Sequence, residues 1–255
     1  MYPVERQQKI MEIVRKQQVV KYVELKEALQ VSMETLRRDI QILVQQGLVE
    51  KFYGGIREVE QSLTETLIEQ RMISQLEEKI AIARECATFI QEGDCIFLDS
   101  GSSTFQIAKF IRNMKNITVI TNSLPIVLEL LHTSVEIILM GGKVRHSEKS
   151  IVAYDFLLQY DQLNISKAFI CTSGISLKNG LSDFSFEEVV TRRNIVHSAQ
   201  TIYVVADYTK FERDVAIKIC SLSDVDYFIT DAHLNDNIFD HYKNAGINVQ
   251  RVPLT

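Results

Sequence analysis

No apolar run in this chain approaches the ~20 residues that cross a bilayer. The opening Met1-Tyr2-Pro3-Val4-Glu5-Arg6 lacks the apolar core of a secretory signal. Both absences predict a cytoplasmic protein with no membrane partner. The four cysteines (Cys86, Cys95, Cys171, Cys220) are scattered and form no C-x-x-C pair. They fit reduced, buried thiols and not a disulfide framework. The five histidines (His132, His146, His197, His233, His241) show no metal-ligand spacing, so neither a metal nor a cofactor is expected. Internal repeats and low-complexity stretches are absent as well. The net charge of −5 excludes a general nucleic-acid coat, although it does not exclude a local DNA-reading surface.

Hydrophobic residues make up 46% of the chain and charged residues 24%, ordinary values for a soluble globular protein. A length of 255 residues holds one large domain or two unequal ones. Charge separates the two ends. Residues 1–60 carry ten Lys/Arg against nine Asp/Glu, whereas the remainder carries 18 against 24. A mildly basic head on an acidic body fits a DNA-binding module on a soluble partner domain.

The head predicts three helices and a wing. Ile10, Ile13 and Val14 give helix 1 an apolar face within about Glu5–Gln17. A short helix 2 spans about Val23–Leu29, with Leu25, Ala28 and Leu29 inward. After the turn at Gln30-Val31, Ser32 is a good N-cap for helix 3. That helix runs to about Gln46, buries Leu36, Ile40, Leu43 and Val44, and ends at Gly47. Leu48 to Ile56, through Gly54-Gly55, reads as a short two-stranded wing. This order suits a winged helix-turn-helix that lays helix 3 in the major groove. Arg37 and Arg38 point about 100° apart on that helix and cannot do the same job. One is expected at a base edge or phosphate, the other paired with Asp39 or a neighbouring carboxylate. Ser32, Glu34 and Thr35 lie at the helix N-terminus, where bases and phosphates are met, and Lys51 is placed to reach a phosphate from the wing.

Residues 58–76 read as a polar, partly helical connector. From Glu77 onward, short apolar strands alternate with amphipathic helices, including one expected over Val152–Gln159. Such alternation predicts an α/β domain with a mostly parallel sheet covered on both faces. In such sheets ligands bind beyond the carboxyl ends of the strands. There the sequence places five polar loops: Asp99-Ser100-Gly101-Ser102-Ser103-Thr104, Thr121-Asn122-Ser123, Gly141-Gly142-Lys143, Thr172-Ser173-Gly174 and Asp207-Tyr208-Thr209-Lys210. Any one is ordinary turn chemistry. Five along one sheet edge make a rim suited to a polyhydroxylated anion. Lys143 and Lys210 would supply charge, while Asp99 and Asp207 would accept hydrogen bonds from hydroxyls.

Both halves resemble the DeoR-type bacterial transcriptional regulators. In the head the resemblance rests on Val31-Ser32, Thr35-Leu36-Arg37-Arg38-Asp39, Gly47-Leu48 and Gly54-Gly55. In the body it rests on Asp99-x-Gly101-Ser102-Ser103-Thr104, Thr121-Asn122, Gly141-Gly142, Gly174 and Asp207-x-x-Lys210-Phe211. Lys51-Phe52-Tyr53 departs from the Arg and His that many members carry before Gly-Gly. The resemblance implies a winged-helix head (1–57), a connector (58–76) and an effector domain (77–255) similar in fold to ribose-5-phosphate isomerase. It further implies a homo-oligomeric repressor of sugar or polyol genes, bound to double-stranded operator DNA, associated with the nucleoid in that state, and released by a phosphorylated sugar. On position and this analogy, Arg71 and Lys79 are candidates for linking an occupied pocket to the head. The alternative is a sugar-phosphate isomerase carrying a DNA-binding head, for which Asp99, Asp207 and Glu187 are bases by type only. Activation instead of repression also remains open.

Overall fold

The computed structural model describes residues 3–17, 19–45, 49–58, 65–152 and 162–254. The chain divides into two compact units, 1–64 and 65–255.

The first unit holds α1 (Pro3–Gln17), β1 (Val19–Lys21), α2 (Tyr22–Leu29), α3 (Met33–Gln45), β2 (Val49–Phe52) and β3 (Gly55–Glu58). Leu36, Ile40 and Leu43 recur along α3 and are almost wholly buried against Ile10, Val14, Leu25 and Leu29. Ala28, expected inward on α2, is instead exposed. Its single methyl adds little to a core already closed by Leu25 and Leu29. The wing has three strands, because β1 pairs antiparallel with β3, the return strand of the β2–β3 hairpin. Three residues are too few to show the alternation that announces a strand. The expected end of α3 at Gln46-Gly47 falls outside the described residues.

In the second unit α4 (Ile68–Ile73) and α5 (Leu76–Thr88) precede β4 (Cys95–Leu98), α6 (Ser102–Ile111), β5 (Thr118–Thr121), α7 (Leu124–Leu130) and β6 (Glu136–Leu139). A β7–β8 hairpin follows (Lys143–Arg145 and Ser150–Val152). Then come β9 (Lys167–Ile170), β10 (Gly174–Ser176), β11 (Gly180–Asp183), α8 (Phe186–Ser198), β12 (Ile202–Val205) and β13 (Ile217–Lys218). The last elements are β14 (Tyr227–Asp231), α9 (Asp236–Asn244) and β15 (Val249–Val252). Seven strands form one sheet in the order β15-β14-β12-β9-β4-β5-β6, and every pairing in it is parallel. One apolar core packs α5, α6 and α7 on one face, with Ile82, Ile107 and Ile126 fully buried. The other face packs α8 and α9 through Val189, Ile195 and Tyr242.

Two departures from the sequence pattern lie near the sheet's carboxyl edge. Val152, taken as the start of a helix, ends strand β8, and residues 153–161 lie outside the described set. A small antiparallel sheet, β10-β11-β13, fills the stretch after β9. Its strands are two to four residues long, below the length at which a period can be counted.

Candidate functional site

In the head, Ser32 caps α3: its hydroxyl accepts the Thr35 N–H at 3.1 Å and lies 2.9 Å from the Thr35 hydroxyl. The cap uses the group that also faces outward. Glu34, Arg37, Arg38 and Gln41 share the exposed face of α3. Arg38 lies 3.9 Å from Glu34, one turn away, in a solvated pair that holds it only weakly. Asp39 is not the partner of either arginine. It is 2% exposed and turned inward, where Arg6 donates to both its oxygens and Gln7 donates at 3.4 Å. The buried stripe of Leu36 and Ile40 dictates this, since position 39 sits beside it on the helix. Lys51 of β2 donates to the Gln41 carboxamide, which fixes the wing beside the exposed face of α3. That face therefore presents Arg37, Arg38 and Lys51 together.

In the second unit the five polar loops all follow the carboxyl ends of neighbouring strands (β12, β9, β4, β5, β6). The loop after β4 is built most tightly. Gly101 has extended φ, but a Cβ there would lie 2.3 Å from Cys171 Sγ, so only glycine fits against β9. Gly174 is pinned likewise, with a Cβ placed 2.5 Å from the Arg213 carbonyl oxygen. Helix α6 starts at Ser102, two residues earlier than its apolar pattern suggests. Its first-turn N–H groups and positive dipole end thus point to the rim from Ser102, Ser103 and Thr104.

Not every expected ligand group is free to act as one. Asp99 is fully buried, and its carboxylate is committed: Oδ1 accepts from Ser100 N (2.8 Å), Oδ2 from Cys171 N (3.0 Å) and Arg192 Nε (2.6 Å). The role expected for Asp99, accepting ligand hydroxyls, is therefore closed to it, and it fixes the loop instead. Thr104 donates to the Asp99 carbonyl at 2.6 Å and braces the turn. Asn122 accepts from Ser100 N at 3.0 Å and donates to the Ser100 hydroxyl at 3.3 Å, locking the β5 loop to the β4 loop. Gly141, Gly142 and Lys143 are exposed, and Lys143 pairs with Glu187 at 3.1 Å.

Asp207 is 1% exposed and accepts the Thr209 N–H at 3.1 Å. Burial alone would raise its carboxyl, yet Lys210 and Lys79 hold it below the usual carboxylate range. Lys79, on α5, is 3% exposed and donates to the carbonyls of Arg71 and Ser74. Burial pushes its ammonium down to about 8, with Asp207 opposing the shift. The structure thus brings Lys79, Asp207 and Lys210 into one electrostatic group at the rim.

The sequence reading missed most of what lies beneath. Arg192 is buried between Asp99 and Asp183, 2.6 and 2.9 Å away. Burial opposes its charge, but both carboxylates keep it protonated. Glu188 is 1% exposed and takes a hydrogen bond from Ser100 at 3.1 Å. Only the unusual depth of charge on one helix marks them, and exposure cannot be read from a linear pattern that alternates irregularly.

The DeoR-like helix-turn-helix domain matches residues 6–62, and the DeoR C terminal sensor domain matches residues 74–232. The chain belongs to the DeoR family. It is similar to the regulator IolR of Bacillus subtilis, 31% identical over 94% of this chain and 99% of IolR. It is also similar to the glycerol-3-phosphate regulon repressor of Escherichia coli, 32% identical over 91% of this chain and 92% of that one. Among solved structures, ribose 5-phosphate isomerase from Plasmodium falciparum aligns with 53% of this chain and 52% of its own, at 18% identity and a TM-score of 0.40. The DeoR relatives are matched over nearly their whole length and are regulators. This member of the family is a helix-turn-helix transcriptional regulator and not an enzyme. No helix among the described residues is long and apolar enough to cross a membrane.

Proposed function

We propose that this DeoR-family protein represses an operon of sugar or polyol metabolism and releases its operator when a phosphorylated sugar or polyol binds the rim of the second unit. Residues 1–57 act as the DNA-binding head, 58–76 as connector and 77–255 as sensor. Arg37 and Arg38 contact base edges or phosphates, with Ser32, Glu34 and Thr35 at the helix start and Lys51 on an adjoining phosphate. Two or more copies place their heads on half-sites related by symmetry. When bound to its operator the protein is part of the nucleoid.

One observation carries the effector half of this reading. The N-terminus of α6, at Ser102–Thr104, opens on the same rim as buried Lys79 and Asp207 and half-buried Lys210. A phosphate there meets backbone N–H groups, a helix dipole and two ammonium groups. Ser100, Gly101, Asn122 and Gly174 shape the floor, Asp99 holds it rigid, and Gly141, Gly142 and Lys143 form its exposed margin. The name of the Escherichia coli relative makes glycerol 3-phosphate the first compound to try.

A ligand that binds only the folded chain raises its melting temperature. The test is a thermal-shift screen of glycerol 3-phosphate, hexose phosphates and inositol phosphates against the full chain. The expected result is a rise with one class of phosphate and none with the parent alcohol. Equal shifts with phosphate and alcohol would overturn the phosphate assignment.

A further inference from the structure

The β7–β8 hairpin, through the end of β7 and its turn, grips the segment from Glu65 to Arg71 at four points. Arg145 donates through Nη1 to Glu65 Oε1 at 2.9 Å and through Nη2 to the other oxygen. The Ser147 carbonyl accepts the Ile68 N–H at 2.9 Å. Glu148 takes the Arg71 guanidinium, and Lys149 lies 2.8 Å from Glu69. Glu65 is the first residue of the second unit, and residues 59–64 lead to it from the head.

The same hairpin also holds the floor of the rim. Ser150, on β8, donates to Glu188 Oε1, and Arg145 lies 3.8 Å from that oxygen. The other oxygen of Glu188 accepts from Ser100, in the loop that opens α6. The side chains of Glu188, Arg145, Glu65 and Glu148 are all mostly buried. Water therefore substitutes poorly for any contact that breaks, and loosening one partner is felt by the next. A second tie runs in parallel: Lys79, beside Asp207, donates to the Arg71 carbonyl, and Arg71 itself is held by Glu148.

We infer that the β7–β8 hairpin is the coupling element of the protein: through Glu188 and Arg145 it makes the hold on residues 65–71 depend on the state of the Ser100 loop. Its regulatory meaning rests on the effector reading above. The mechanical dependence does not, and is testable with no ligand present. Arg145 acts as a positioning residue at the junction. Glu188 touches the Ser100 loop and the hairpin, while all four grips on 65–71 come from other residues.

Hydrogen–deuterium exchange on the full chain decides the matter. In Arg145→Gln and in Glu188→Gln, amides of residues 68–73 should exchange at least about tenfold faster than in the unaltered protein, with β4 and β9 still protected. Ser150→Ala gives the same readout if Glu188→Gln does not fold. Accelerated exchange in Arg145→Gln alone, with Glu188→Gln and Ser150→Ala like the parent, would overturn the coupling and leave Arg145 a local clasp. Inorganic phosphate at millimolar concentration supplies a separate arm. It should slow exchange at 102–104 in parent and Arg145→Gln alike, but alter 68–73 in the parent only. A response at 68–73 that persists in Arg145→Gln also overturns the coupling. No phosphate effect at 102–104 in the parent would instead count against the effector reading, with the ligand-free result unaffected.

Discussion

Arg192, in the middle of α8, donates through Nε to Oδ2 of Asp99, just past β4, at 2.6 Å, and both side chains are almost wholly buried. A charge so placed is tolerable only while its partner remains. Burial raises the Asp99 carboxyl and Arg192 opposes it. Asp99→Ala should therefore cost about 3–5 kcal/mol, because it takes from the buried guanidinium its nearest carboxylate and from the Ser100 and Cys171 N–H groups their acceptor. Urea unfolding of the full chain measures this. A loss below about 1 kcal/mol, within the range of ordinary surface pairs, would show that the pair does not hold the loop.

Gly101 offers a sharper probe of the rim. A methyl group there meets Cys171 Sγ at 2.3 Å, so Gly101→Ala should cost about 1–3 kcal/mol through overpacking and displace the start of α6. Pairing it with Cys171→Ala removes the nearer obstacle, leaving the Cβ of residue 171 at 3.0 Å, and should restore part of the stability. If Gly101→Ala alone melts like the parent, the close approach has been misplaced.

If the rim binds a phosphate as proposed, Lys79 gives that binding a pH dependence. Burial lowers its ammonium to about 8, so the cation is present below that value and lost above it. A sugar phosphate is already a dianion above pH 7 and does not titrate further. Phosphate affinity should fall as pH rises from 7 to 9, approaching roughly tenfold per unit at the upper end. Titration calorimetry with glycerol 3-phosphate checks it, and Lys79→Met should abolish the slope. An affinity that is flat over this range would remove Lys79 from the site.

Glu148 bears on stability with its own sign. Burial, against Arg71 but with Glu65 and Glu188 alongside, lifts its carboxyl from 4.5 to about 7. The folded chain then keeps a proton that the unfolded chain gives up between those values. Its contribution to stability is full below about pH 4.5 and is lost as pH rises through 7. Comparing melting temperatures of parent and Glu148→Gln between pH 5 and 8 isolates this group from its neighbours. The difference should grow in favour of the variant as pH rises; a constant difference would mean that Glu148 is ionised throughout.

Several elements are legible in the sequence because their signal is local. Strand β4 (Cys95–Leu98) is one, since four apolar residues sit between a glycine turn and a polar loop. The Ser32 cap and the Leu36–Ile40–Leu43 stripe follow from spacing alone. What escapes is set by tertiary context. Strand β1 exists because β3 offers it an edge, and the β7–β8 hairpin lies where the pattern pointed to a helix at Val152. Asp39 and Asp99 look like surface carboxylates beside arginines and DNA- or ligand-facing groups. Both are buried, and their partners, Arg6 and Arg192, lie far away along the chain. The five polar loops do lie together beyond neighbouring strand ends, as the alternation implies. The linear pattern does not separate exposed loop residues from those, like Asp99 and Asn122, that hold the loops together.

The most direct measurement of the central claim is the affinity of the full chain for a duplex selected from random DNA, with and without sugar and polyol phosphates. Arg37→Ala should weaken binding to the selected duplex in every condition. One phosphate should change the dissociation constant of the unaltered protein by about fivefold or more, a typical allosteric coupling. Lys210→Ala should bind the duplex as the parent does and show no response to that phosphate. A phosphate response in Lys210→Ala equal to the parent's, or no response of the parent to any phosphate, would contradict the account.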